Sequence, residues 1–144
     1  MPYRVLFFFA LFFLAFNISA QGFGPYQAEV SRVIDGDTIE LNIHIWPKLT
    51  QNVKLRLSGV NTPEKRGKVS DCEKEAGQKA TNFTQRFLQG VKTVTVTDIK
   101  LGKYAGRVLG NLSKQRQDLG QALIQTGHAK PYKGGKRELC CGKQ

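Results

Sequence analysis

Between residues 28 and 60 apolar side chains recur at every second position. In "TIELNIHI" Ile39, Leu41, Ile43 and Ile45 alternate with polar residues, and in "QNVKLRLSGV" Val53, Leu55 and Leu57 do the same. A period of two is that of a strand buried on one face. The five residues "WPKLT" between the two runs suit a hairpin connection. "AEVSRVI" ahead of "DGDT" predicts an earlier strand, and "KTVTVTDI" and "GRVLGNL" predict two later ones, making five. Between the third and fourth strands, "SDCEKEAGQKATNFTQRFLQG" changes period: Ala76, Ala80, Phe83 and Phe87 fall at helical spacing. Ser70 and Glu73 form a capping-box pattern at its start, and Gly90 stands where a C-terminal cap belongs. "QDLGQALIQTG" predicts a second helix, with Leu119, Ala122 and Leu123 on one face and Gly127 ending it. Five short strands with an interposed helix suit a small closed barrel, mainly β with flanking helices (α+β).

The first twenty residues stand outside this pattern. "MPYR" is a basic leader, "VLFFFALFFLAF" an apolar stretch, and "ISA" supplies small residues before Gln21. That is the layout of a secretory signal peptide, and its apolar stretch is short of the ~20 residues a membrane span needs. Retention as an uncleaved anchor is the second reading of the segment. Residues 1–20 are therefore read as a signal, residues 21–144 as a single domain with a basic C-terminal tail lying over the surface, and the destination as secreted or periplasmic, with no stable membrane association after cleavage. Six of the nine phenylalanines leave with the signal, so the core rests on Val, Ile and Leu.

Charge narrows the partners. The chain carries a formal charge of +11, of which the signal accounts only for Arg4. Such an excess attracts polyanions, without choosing between nucleic acid, acidic polysaccharide and anionic lipid. Three cysteines, Cys72, Cys140 and Cys141, in an exported chain imply one disulfide and one thiol left over, with Cys72 bonded to Cys140 or Cys141. His44 and His128 lie far in sequence from every cysteine, so no zinc motif is present.

Chemistry gathers at two acid-bearing turns, "DGDT" (Asp35–Thr38) and "NTPE" (Asn61–Glu64), each at a strand end. Asp and Gly are ordinary turn formers, and either turn alone defines nothing. Together they offer the side chains of Asp37 and Asn61 and a nearby main-chain carbonyl, oxygen donors that suit a hard cation such as calcium. Glu64 is then close enough to align a water, and Arg56 and Arg107 present planar forks matched to phosphate oxygens. A metal, a base and two guanidinium groups are what phosphodiester hydrolysis requires.

In order along the chain, "VIDGDT", "KLRLSGVNTPE" and "GKYAGRVLG", followed by "ALIQTGHAK", resemble the staphylococcal nuclease (thermonuclease) family, from about Val30 to Lys130. The resemblance implies a five-stranded OB-fold barrel and calcium-dependent hydrolysis of both DNA and RNA, with DNA and RNA as partners of a monomer. By position it implies Asp37 as a metal ligand, Thr62 as the residue lending its main-chain carbonyl, Asp35 as an acid behind the ligands, Arg56 and Arg107 as phosphate-binding arginines, and Glu64 as general base. Lys103 and Tyr104 resemble the pair that touches a neighbouring phosphate, and Tyr132 resembles a tyrosine of the binding wall. Three positions depart from the pattern. Asn61 replaces a second metal-binding aspartate, Ala105 lies between the tyrosine and the glycine-arginine pair, and Gly102 replaces an acid before Lys103. The alternative to an enzyme is a non-catalytic OB-fold nucleic-acid-binding protein, which would have no need of Arg56, Glu64 and Arg107 together. An exported protein using its charge against acidic polysaccharide would explain the basic excess and not the acid turns.

Overall fold

The computed structural model describes residues 22–141, so the signal segment lies outside the described residues. Five strands form the barrel: β1 (Tyr26–Asp35), β2 (Thr38–Trp46), β3 (Leu49–Leu57), β5 (Val94–Leu101) and β6 (Arg107–Lys114). Three two-residue strands complete the set, β4 (Val60–Asn61), β7 (Gln117–Asp118) and β8 (Lys130–Pro131). Around the barrel the order is β3-β2-β1-β5-β6, antiparallel throughout until β6 pairs in parallel with β3 and closes the ring. Closure gives each of these five strands a neighbour on both sides.

Alternation decides what the barrel encloses. Ile39, Leu41, Leu55, Leu57, Val96 and Leu112 point inward and are buried. Ile45 breaks the expected series. It sits near the β2–β3 tip and is 45% exposed, beside Trp46 and Leu49, because the strands there outrun the barrel. The connection is also shorter than the five residues expected: only Pro47 and Lys48 link β2 to β3, with Lys48 in the left-handed region (φ 68°).

Helix α1 (Asp71–Leu88) packs on β1, and α2 (Leu119–Gln125) on β6. Asp71 and Glu73 in the first turn of α1 and Arg86 in the last complement its dipole. Its buried face runs through Glu73, Gly77, Ala80, Thr81, Thr84 and Leu88, rotated from the expected line; Phe83 and Phe87 are partly buried at its margin. The capping box is half formed. Ser70 Oγ accepts the Glu73 N–H at 3.2 Å, but the Glu73 carboxylate turns away from Ser70 to other partners described below. In α2, Asp118 caps by accepting the Gln121 N–H at 2.7 Å. No helix among the described residues is long and apolar enough to cross a membrane.

The tail does not simply lie over the surface. Cys141 is bonded to Cys72 in α1, which settles the pairing and leaves Cys140 as the free thiol. Lys130–Pro131 pairs with Val60–Asn61 as a small ribbon, so the chain leaving α2 runs alongside the second acid turn.

Candidate active site

The β1–β2 turn is held against α1 by close approach. A Cβ on Gly36 would lie 2.8 Å from Ala80 Cβ and 2.9 Å from Thr62 Cγ2, and the Thr84 hydroxyl donates to the Gly36 carbonyl at 2.6 Å. That clamp buries Asp37. Its Oδ2 accepts the Thr62 N–H at 2.8 Å, its Oδ1 accepts the Thr38 hydroxyl at 3.2 Å, and its carbonyl accepts the Leu57 N–H at 2.8 Å. The two acid turns, twenty-five residues apart, are thereby joined by one carboxylate.

Arg56 stands opposite Thr38 in the β2–β3 ladder, on the outward face of β3, yet is only 6% exposed. Its Nη2 donates to Asn61 Oδ1 at 3.3 Å, and its Nη1 forms an ion pair with Asp37 Oδ2. Nη1 makes no hydrogen bond of regular geometry in that contact. In the parallel β3–β6 ladder Arg56 faces Leu109 and Lys54 faces Arg107, so the two arginines are diagonal neighbours on one face of the sheet. The Nε of Arg107 is buried without a partner. Among the described residues Arg107 Nε is the buried side-chain polar atom with neither a hydrogen bond nor an ion pair. A buried donor without an acceptor costs about 1–3 kcal/mol, so Arg107 Nε marks a place shaped for an anion.

Around them each acid has its own base. Asp35 Oδ1 lies 3.6 Å from Lys65 Nζ and 3.2 Å from Arg66 Nη2; Glu64 pairs with Arg137. The Glu64 side chain is 41% exposed, open enough to meet solvent water. Helix α1 also backs this turn: a Cβ on Gly77 would fall 2.5 Å from Lys65 N and 2.7 Å from Glu64 C. Glycine in a helix interior costs ~1 kcal/mol against alanine, and here the missing side chain lets the helix touch the turn backbone.

Lys103, Tyr104 and Arg107 cluster on the β5–β6 hairpin. The Arg107 Cζ is 4.8 Å from the Tyr104 ring centroid and the Lys103 Nζ 6.0 Å from it, while the ring stays 59% exposed. Gly102 has a local reason: its N–H donates to the Arg107 carbonyl at 3.0 Å, and a Cβ would approach that oxygen to 2.5 Å. Tyr132 lines a cleft of about 200 Å³ with Asn61, Lys133 and Lys136, its hydroxyl donating to the Gly135 carbonyl at 2.7 Å. His128 packs on Phe83, ring centroids 4.9 Å apart, and His44 contacts Thr50 and Glu29 on a barrel hairpin. Neither is placed among these residues.

The structure thus brings Asp37, Arg56, Asn61 and Thr62 into direct contact, sets Arg107 beside Arg56, and links Asp35 and Glu64 to them through the turn after Pro63. Sequence reasoning missed Glu73, Gly77 and Thr84, and reached Arg137 only as one position of the basic segment "PYKGGKR" expected to attract substrate. A glycine inside a helical pattern was the available signal for Gly77; nothing local marks the others.

Among the described residues no three His, Cys, Asp or Glu side chains form a metal cluster. The set of Asp37, Asn61 and the Thr62 carbonyl is all oxygen, with Asp37 and Asn61 gathered on one guanidinium. That donor chemistry fits a hard cation, with a low charge count.

The chain matches the staphylococcal nuclease homologue family over residues 54–141. The match includes Arg56, Asn61, Thr62, Glu64 and Arg107 and leaves Asp35 and Asp37 ahead of it. The chain is also similar to Endonuclease YhcR of Bacillus subtilis (strain 168), 28% identical over 118 residues that take in 76% of this chain and 9% of that protein. It therefore spans less than a tenth of that relative's length. With its closed five-stranded barrel and these matches, the chain belongs to the staphylococcal nuclease homologue family.

Proposed function

We propose that this protein is an exported, calcium-dependent endonuclease that hydrolyses phosphodiester bonds of DNA and RNA with little sequence preference. The observation that carries the reading is the placing of two buried arginines, Arg56 paired with Asp37 and Arg107 with a partnerless Nε, on one sheet face beside the acid turns. A phosphate offers the oxygen that Arg107 Nε lacks and further acceptors for the Arg56 fork.

Arg56 and Arg107 bind the nonbridging oxygens of the scissile phosphate and stabilise the charge that grows there as water adds to phosphorus. Glu64, on the exposed rim, takes the proton from the attacking water. Thr62 N–H and Arg56 hold the Asp37 carboxylate in place, and Arg56 orients the Asn61 amide. Asp37, Asn61 and the Thr62 carbonyl would hold calcium, which when bound supplies Lewis-acid charge to a phosphate oxygen. Lys103 and Tyr104 contact a neighbouring nucleotide. Phosphate contacts and stacking on tyrosine carry no sequence information, which accounts for broad substrate use.

Digestion of single- and double-stranded DNA and RNA by the purified protein, in calcium and in chelator, tests this. Cleavage of all four substrates in calcium and none in chelator is expected. Binding without cleavage in either condition would instead establish the non-catalytic OB-fold binder.

A further inference from the structure

The C-terminal segment is tied to the site at three points. Cys141 is bonded to Cys72. The N–H groups of Cys140 and Cys141 donate to Glu73 Oε2 at 2.9 and 3.1 Å. Arg137 forms an ion pair with Glu64. Glu73 is buried and its other oxygen accepts the Glu64 N–H at 3.4 Å, so one carboxylate fixes both the tail and the backbone of the residue the tail reaches.

Arg137 is drawn in among like and unlike charges. Burial and the nearby Arg56 push its guanidinium below the usual arginine range, while Asp37 and Asp35 act the other way. It is 41% exposed at the rim, in contact with Glu64, where the charges of Arg56, Asp37 and Asp35 are felt. A third guanidinium at the rim of the Arg56 site is favourable where an anion is to be received. Its contact with Glu64 is half-exposed, a class of ion pair that adds little to stability and is exchanged at little cost. Lys133 and Lys136, in the same segment, line the cleft beside Asn61 and continue the positive surface away from Arg137.

We propose that Arg137 is a third phosphate-binding side chain of this site, delivered by the disulfide-anchored tail, and that it exchanges Glu64 for a phosphate oxygen when nucleic acid binds. The proposal rests on the nuclease reading and adds to it a substrate contact from outside the barrel. Arg137 holds substrate, and its release from Glu64 frees that carboxylate for water.

The test is binding of a single-stranded DNA oligonucleotide to the full chain by fluorescence anisotropy in chelator over a series of salt concentrations, with cleavage kinetics in calcium alongside. Arg137→Ala is expected to weaken binding about tenfold and to reduce the salt slope by roughly 0.7, the loss of one phosphate contact on a single strand. KM should rise with kcat little changed, and Arg137→Lys should retain the slope and part of the affinity. Cys72→Ser/Cys141→Ser should weaken binding similarly, and adding Arg137→Ala to it should cost little more, since the two act through one element. Wild-type affinity and slope in Arg137→Ala would overturn the proposal. So would faster cleavage with unchanged binding, which would make Arg137 a mask over Glu64. Should the wild type bind and not cleave, the nuclease reading falls while the anisotropy series still decides on Arg137.

Discussion

The backbone N–H of Glu64 donates to the buried carboxylate of Glu73, whose second oxygen holds the backbone of Cys140 and Cys141. An acid on the rim of the site is thus positioned by an acid in the first turn of a helix, and the same group secures the end of the chain. Glu73→Ala would leave three donors without their acceptor, at about 1–3 kcal/mol for each that stays buried. A fall in Tm of at least ~5 °C is expected, with Glu73→Gln intermediate because one acceptor oxygen survives. An unchanged Tm by calorimetry would show that solvent replaces Glu73 at no cost.

The two arginines should separate rate from stability. Arg56 neutralises the buried Asp37, and Arg56→Ala leaves that charge unpaired, a loss of about 3–5 kcal/mol in comparable buried pairs. Arg107 has a buried nitrogen with no partner to lose. Arg107→Ala is therefore expected to melt within a few degrees of wild type while cleaving ~10²–10³-fold more slowly, as for removal of one preorganised donor. Equal destabilisation by both substitutions would contradict this division.

Asn61 gives the oxygen cluster a neutral amide where a carboxylate would add charge. Because ligand charge tunes calcium affinity in such sites, Asn61→Asp should bind calcium about tenfold more tightly in a calorimetric titration. The new carboxylate would also pair with Arg56, already 3.3 Å from Asn61 Oδ1. No gain in affinity would remove Asn61 from the ligand set.

Cys140 sits beside the Cys72–Cys141 bond as a part-buried thiol. Burial first, and then the negative charge of Glu73, raise its pKa, with Lys130 opposing. The reactive thiolate is thus scarcer at a given pH than for an ordinary cysteine. Alkylation of the non-reduced protein by iodoacetamide should stay slow through the range where a free thiol model reacts and accelerate only at higher pH. Peptide mapping should find the label on Cys140 alone; label on Cys141 would refute the pairing.

Much of this was legible in the chain, for physical reasons that differ by element. Ile39, Leu41, Leu55 and Leu57 announce their strands because a barrel wall buries one face only, and the motif turns lie at strand ends where the register ladder delivers them. Parallel closure of β6 on β3 carries no local signal, yet it is what sets Arg107 diagonal to Arg56. Glu73 read as a helix cap since capping is a local event, while its carboxylate holds Glu64 nine residues back and the tail sixty-seven and sixty-eight residues ahead. Arg137 looked like one more lysine- or arginine-rich tail position. Only the Cys72–Cys141 bond and the Glu73 contacts, neither fixed by spacing, bring it to Glu64.

That Asp37, Arg56, Glu64 and Arg107 form a phosphodiester-hydrolysing centre is tested most directly at Glu64, which can lose its charge without losing its shape. Initial cleavage rates of wild type and Glu64→Gln on one labelled single-stranded DNA in saturating calcium, with binding measured in parallel, should differ by ~10²–10⁴-fold at nearly equal affinity, the range for loss of a general base. Equal rates would contradict the account and move the chemistry away from this carboxylate.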